Sequence, residues 1–274
     1  MKKLIFLLCL PIFGFGQVNF PGTEVQLLVG KTIVVNEVNF ITESGVEVNY
    51  STYDGFYKNK KLTKIYKKKT MFSSKAEALV NRKFKVIGFK GVENESSNDY
   101  ILEIENEDIG ILYYKYDADY AFNFPFTIEG GVVLPDEYYC KKINEDIDKF
   151  TNIKSYLASI RNFKISKLVK SSVSINTIYL HQISFQVKST SGLVLLLENN
   201  LRIDKPEADV EVNVNTSSSS TPFIHSVTVI LSDDEAKLLS ENNITDYRIG
   251  LVDGTMKSAD AFVLKKTMQC LIKK

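Results

Sequence analysis

The 274-residue chain carries 34 Lys and Arg against 33 Asp and Glu, with 44% hydrophobic residues and no tryptophan. Its formal charge of +1 provides no overall field toward nucleic acid or a membrane surface, and its apolar content suffices for a real core in one large or two modest domains. The lack of Trp, against 14 Tyr and 17 Phe, counts against a carbohydrate-stacking platform.

The chain opens MKKLIFLLCLPIFGFGQ: two lysines, an apolar run from Leu4 to Phe13, then Gly14 and Gly16. Residues 1–16 read as a secretory signal peptide cleaved between Gly16 and Gln17. The run is too short for a permanent anchor, which takes about 20 residues. A lipoprotein reading of Cys9 is opposed by Leu8, which stands where a small residue is needed. The expected mature protein is therefore exported (periplasmic, cell-surface or secreted) and has no transmembrane segment. Loss of Lys2 and Lys3 takes the formal charge from +1 to −1. Two cysteines remain, Cys140 and Cys270. In an oxidising compartment an even pair favours a disulfide over two buried small hydrophobes, and two cysteines alone build no structural zinc site.

Residues 17–135 read as a β domain. Leu28–Val35 (LVGKTIVV) and Leu79–Val86 (LVNRKFKV) share a pattern of Leu, Val, turn residue, base and alternating apolar positions, and predict two strands entering a sheet in similar ways. Between them Lys58–Lys69 (KNKKLTKIYKKK) is the most polarised stretch. Lys60, Lys61, Lys67 and Lys68 are its candidate contacts for an anionic envelope component or an acidic protein partner; export argues against nucleic acid. The competing and favoured reading is a solvated or internally paired surface, with Glu103, Glu105 and Glu107 alternating along one face of a later strand as counter-charges. A turn near Glu107–Gly110 separates two strands. Tyr120, Phe122, Phe124 and Phe126 then share one parity, which in an extended segment places four rings on one face, more readily a core than a ligand groove. Asp117 and Asp119 lack the spacing of a calcium loop and read as a turn with an Asx hydrogen bond.

The stretch Asp136–Phe150 (DEYYCKKINEDIDKF) divides the chain. Cys140, Ile143, Ile147 and Phe150 fall on one face of an amphipathic helix with Asp136 as its N-cap. Residues 136–274 are expected to form the second domain. Val173 to Val187 alternate, with Val173, Ile175, Tyr179, Ile183, Phe185 and Val187 on the apolar parity, which predicts a long half-buried strand or a hairpin bending near Asn176. Leu193–Leu197 reads as a fully buried strand ended by Asn199 and Asn200. Asp209–Val214 is another strand, and a polar tract from Thr216 to Thr221 leads to Phe223–Leu231, whose odd positions are apolar. Ser232 and Glu235 spell a capping box for a short helix. Tyr247–Val252 is a strand, Asp253–Gly254 a turn, and Ser258 caps a terminal helix with the stripe Ala261, Leu264, Met268, Leu271, bordered by Cys270.

Both histidines, His181 and His225, fall on the apolar parity of strands and read as core-margin residues in preference to ligands or bases. No GxSxG or HExxH pattern occurs, and the residues call for no metal or cofactor. The segments YDADYAFNFPF, EYYCKKINEDIDKFT, RIDKPEADVEVNV and ITDYRIGLVDG, taken together with the cysteine-bearing terminal helix, resemble uncharacterised β-rich proteins exported by Gram-negative bacteria. That resemblance implies an architecture and no activity. The expected fold is mainly β, with a small barrel-like or sandwich N-terminal domain and then an antiparallel β-sandwich with peripheral helices. The expected function is that of a non-catalytic envelope or surface protein with a binding or structural role. The alternative is an exported hydrolase whose acids, Asp117 and Asp119 with His181, converge only in three dimensions.

Overall fold

The computed structural model describes residues 17–37, 39–41, 47–49, 52–92, 99–186, 188–216 and 222–274. The signal-peptide reading of residues 1–16 and most of the polar tract 216–221 lie outside the described residues. The protein is mainly β and forms two compact units, one ending at Leu134 and the other running Pro135–Lys274.

In the first unit the strands are β1 (Gln17–Val18), β2 (Thr32–Val35), β3 (Asn39–Ile41), β4 (Glu47–Asn49), β5 (Thr52–Asp54), β6 (Phe56–Tyr57) and β7 (Ser73–Lys75). They continue with β8 (Lys83–Gly91), β9 (Asp99–Asn106), β10 (Gly110–Asp117), β11 (Phe126–Ile128) and β12 (Val132–Val133). A curled six-stranded sheet in the order β11-β2-β8-β9-β10-β6 is joined by the pairs β1-β12, β3-β4 and β5-β7. Its inner face carries Ile33, Val35, Phe84, Val86, Leu102, Ile104, Tyr114 and Tyr116, all buried.

The two LV-turn-base segments do more than enter the sheet alike: they pair with each other. Ile33 lies opposite Phe84, the equivalent position of the second segment, so a local two-fold axis passes between them. Each segment begins with a 3-10 turn, Val25–Leu28 or Ala76–Ala78, and buries its leucine, Leu28 or Leu79, completely. Each then turns through a left-handed residue, Gly30 (φ 81) or Asn81 (φ 60). The amide of Gly30 donates to Val86 O at 2.8 Å, and the amide of Asn81 donates to Val35 O at 2.8 Å, the symmetric bond.

The hairpin of β9 and β10 turns where Asn106 Oδ1 accepts the amides of Asp108 and Ile109, each at 3.0 Å. Glu107 therefore lies in the turn, and only Glu103 and Glu105 share the outer strand face. The aromatic run is not one extended segment. A 3-10 turn at Ala121–Asn123 breaks its parity, leaving Tyr120 56% exposed while Phe126 is buried. Phe124 packs with Phe20, Tyr116 and Phe126, so the core reading holds for the later rings; the side chain of Phe122 lies outside the described residues.

The second unit corrects the long helix. Only α1 (Asp136–Cys140) is helical, its N-cap is Pro135, and no side chain caps it. The chain then turns into β13 (Asn144–Ile147), and Phe150 is 98% exposed. The reason is local competition: Asp148 Oδ1 accepts the amides of Phe150 and Thr151 at 2.8 and 2.9 Å, closing an Asx turn where the helix period requires continuation. With Asn152 at φ 55, this turn folds β13 back onto β14 (Lys154–Ile160).

The strands that follow are β15 (Phe163–Lys170), β16 (Val173–Ser184), β17 (Leu193–Leu197), β18 (Arg202–Lys205), β19 (Val210–Val214), β20 (Phe223–Leu231), β21 (Ile244–Ile249) and β22 (Val252–Thr255). The helices α2 (Asp233–Glu241) and α3 (Ser258–Leu271) flank β21 and β22 in the chain. A six-stranded antiparallel sheet, β13-β14-β15-β16-β20-β19, and a four-stranded one, β18-β17-β21-β22, enclose a core with both helices. The capping box forms as read, with Ser232 Oγ accepting the Glu235 amide at 3.2 Å and Glu235 Oε2 accepting the Ser232 amide at 2.8 Å. Ala261, Leu264, Met268 and Leu271 are buried, and the α3 N-cap is Lys257, one residue before Ser258.

Three readings change here. Strand β16 is single and long, but its buried side is Asn176, Ile178 and Leu180, while Val173, Ile175 and Ile183 face out at 62%, 39% and 43% exposure. The β21–β22 turn falls at Gly250–Leu251, because Gly250 supplies the left-handed φ of 56, and Asp253 and Gly254 lie within β22. Strand β17 buries Leu193, Leu195 and Leu197 but leaves Leu196 41% exposed, because only one face of its sheet is covered.

Candidate functional site

In the first unit the lysine segment is shaped by Asn59. Its Oδ1 accepts the amides of Thr63 and Lys64 at 3.2 and 2.9 Å, and its Nδ2 donates to Thr63 Oγ1 at 2.9 Å. This closes a small loop with Leu62 at φ 51, which carries Lys60 and Lys61 to the outer face of the sheet. There Lys60 Nζ lies 3.1 Å from Glu103 Oε2 and 5.7 Å from the centroid of the Tyr113 ring. Tyr113 stands directly opposite Glu103 in the β9–β10 register. The hydrogen bond and the charge of Glu103 hold the Lys60 ammonium above the usual lysine range. Lys60, Lys61 and Lys90 line a hollow of about 390 Å³ with Phe89, Val92, Ile101, Glu103 and Tyr113.

The four candidate lysines are thus divided. Lys60 and Lys61 border the hollow, whereas Lys67 and Lys68 belong to an arm running beside β7, where Lys68 bridges Ser74 and the Lys75 amide donates to Lys67 O at 3.0 Å. The internal pairing expected of Glu103 occurs at Lys60. Phe89, Lys90 and Tyr113 were not singled out from the sequence. Tyr113 was within reach of sequence reasoning, since a turn at Glu107–Gly110 sets the hairpin register that puts it across from Glu103.

The second unit holds a larger hollow, about 660 Å³, lined by Gln182, Val194, Leu196, Arg202, Asp246, Tyr247, Arg248, Asp253, Gly254 and Thr255. Its two arginines are paired at home, and Asp246 is held by a hydroxyl. Arg248 Nη2 donates to Asp253 Oδ2 at 2.9 Å, Arg202 pairs with Asp204, and Asp246 Oδ1 accepts from Thr255 Oγ1 at 2.9 Å. The Arg248 hydrogen bond holds the Asp253 carboxyl below its ordinary value. Burial raises the Tyr247 phenol, whose hydroxyl donates to Gln182 Oε1.

The residues of the hydrolase alternative are placed apart in sequence and in role. Asp117 and Asp119 belong to the first unit, where Asp117 Oδ1 accepts the Asp119 amide at 3.0 Å, the expected Asx turn. His181 belongs to the second, on the outer face of β16, with its imidazole pKa lowered by burial and by Lys164. His225 is fully buried, and its Nε2 is 2.7 Å from Gln186 O. Among the described residues no group of three His, Cys, Asp or Glu is placed to hold a metal ion.

Cys140 and Cys270 are joined by a disulfide, with their Cα atoms 5.3 Å apart and a sequence separation of 130. It ties α1 to α3, beside the Lys266 Nζ to Asp136 Oδ1 contact at 2.9 Å. No helix among the described residues is long and apolar enough to cross a membrane. No family model matches the sequence, and no curated protein or solved structure shows significant similarity to it.

Proposed function

We propose that this is an exported, non-catalytic envelope or surface protein whose first unit binds an anionic envelope component at the Lys60–Lys61 hollow. One observation carries the reading: Lys60 and Lys61 stand with one carboxylate, Glu103, in a hollow whose walls are made by Phe89, Ile101 and Tyr113. An anionic group there meets an excess of positive charge, and the attached apolar part covers ring and aliphatic surface. The Glu103 contact holds Lys60 in place over Tyr113, so the hollow is organised before the ligand arrives.

The test is retention on isolated cell envelopes. Lys60→Glu with Lys61→Glu is expected to abolish it, and raising salt is expected to weaken the unaltered protein in the same direction. Lys67→Glu with Lys68→Glu makes an equal change of charge outside the hollow and is expected to leave retention in place. Equal retention by both double variants removes the hollow from consideration, and equal loss by both returns the effect to undirected charge.

A further inference from the structure

We infer that the outer face of the six-stranded sheet is the surface on which two copies of this chain associate, sheet against sheet. Strand β16 is apolar on both sides. Ile178 and Leu180 enter the core, while Val173, Ile175, Tyr179 and Ile183 point the other way. An antiparallel sheet with one face in water ordinarily turns polar residues outward, so apolar residues on the outer face of β16 mark that face as one to be covered. The cross-strand register extends the outer patch: Leu168 lies opposite Ile175, and Thr177 lies opposite Ile230. Leu157, Leu168 and Ile230 are 42%, 40% and 65% exposed on that side. Together these side chains present on the order of 600 Å² of apolar surface, at the upper end of what single-chain proteins leave uncovered.

Area and charge both fit a second copy. With the polar rim of Ser155, Ser159 and Thr228 included, the face approaches the about 800 Å² per partner that a standard stable interface buries. The face also carries both signs. Lys164 and Lys170 stand on β15, and Asp146 and Glu211 stand on the two edge strands β13 and β19. A two-fold axis running over β16 lays β15 of one copy against β20 of the other, so that Lys164 comes one strand away from Glu211 of the second copy and the lysines avoid each other. The near-neutral chain adds no general repulsion between copies. Aligned sheet packing of this kind crosses strands at about 30° and interdigitates aliphatic side chains like those present.

The test is the molar mass of the exported chain by sedimentation across a micromolar concentration series. A dimer is expected. Ile175→Glu or Ile230→Glu is expected to raise its dissociation constant roughly 100-fold, because each places an unpaired carboxylate in an apolar interface, while the circular dichroism of the monomer stays unchanged. Glu211→Lys is expected to weaken the dimer, and Lys164→Glu in the same chain to restore it. Ile87→Glu, on the first unit, serves as a control and is expected to have no effect. A monomer at every concentration, or a dimer indifferent to both outer-face variants, overturns the inference and leaves the face to another partner.

Discussion

Tyr247 and Gly254 face each other across the β21–β22 hairpin, and the tyrosine ring lies over the glycine so closely that a Cβ there would stand 2.3 Å from the ring Cζ. The ring has nowhere to go. It packs edge-on against Phe163 at 5.2 Å, and its hydroxyl is tied to Gln182. Gly254→Ala is therefore expected to cost about 2 kcal/mol from overpacking, read as a lower urea midpoint. In a Tyr247→Ala background the same change should cost little, because the obstructing ring is gone. A double-mutant cycle showing simple additivity would contradict this account.

The Cys140–Cys270 link closes most of the second unit into one loop. Chain-entropy arguments give a loop of that length up to about 5 kcal/mol of stabilisation, and measured effects are often smaller. Because both cysteines belong to the second unit, reduction is expected to lower the unfolding temperature of that unit and leave the first unit's transition in place. The oxidised protein should weigh two hydrogens less than the reduced one. Calorimetry with and without reductant checks the first expectation, and intact mass checks the second.

The covalent link and the mainly β architecture were legible in the sequence because each rests on a short-range rule: an even cysteine pair, period-two alternation, the Ser232 capping box. Failures came where two rules competed. Over Asp136–Phe150 the helical spacing of Ile143 and Ile147 lost to Asp148, whose carboxylate closes a turn within three residues. In β16 both parities carry apolar residues, and alternation alone does not say which face meets the core; the long-range packing of Leu180 and Ile178 decides it. The lysine segment shows the same limit. Its charge was plain, but the division of Lys60 and Lys61 from Lys67 and Lys68 depends on the loop that Asn59 closes.

The local two-fold of the first unit makes unequal demands on its two turns. Gly30 and Asn81 both occupy the left-handed region, where a β-carbon is disfavoured, but asparagine tolerates it better than other side chains. Nothing lies within 4 Å of a Cβ placed at Gly30, so conformation alone sets the cost. Gly30→Ala is expected to destabilise the first unit by about 1 kcal/mol and Gly30→Asn by less. Asn81→Gly should be close to neutral. Chemical denaturation of the three variants ranks them, and an alanine variant as stable as the parent would rule out the strain assigned to this turn.

The capping box of α2 also fastens a strand, and this gives the second unit an acid limit. Glu235 Oε2 accepts from the Ser232 amide and from Lys205 Nζ, the latter at 2.7 Å, so one carboxylate joins the helix start to β18. Burial alone raises its pKa, but the hydrogen bonds from Lys205 and Ser232 outweigh that and hold the carboxyl below its ordinary value of 4.5. A carboxyl that is more acidic when folded contributes stability above its unfolded pKa and loses it as the pH falls through the folded value. Glu235→Gln is thus expected to lower stability by about 1 kcal/mol at pH 7, and the difference from the parent should shrink as the pH falls below the ordinary carboxyl range. Ser232→Ala, which removes the reciprocal bond to the Glu235 amide, should cost about 1 kcal/mol. That loss should persist at pH 3, because a hydroxyl does not titrate there. Melting curves of parent and both variants at pH 7 and pH 3 separate the two effects, and a Glu235→Gln deficit that persists undiminished at pH 3 would show that the carboxylate's charge is not what joins helix and strand.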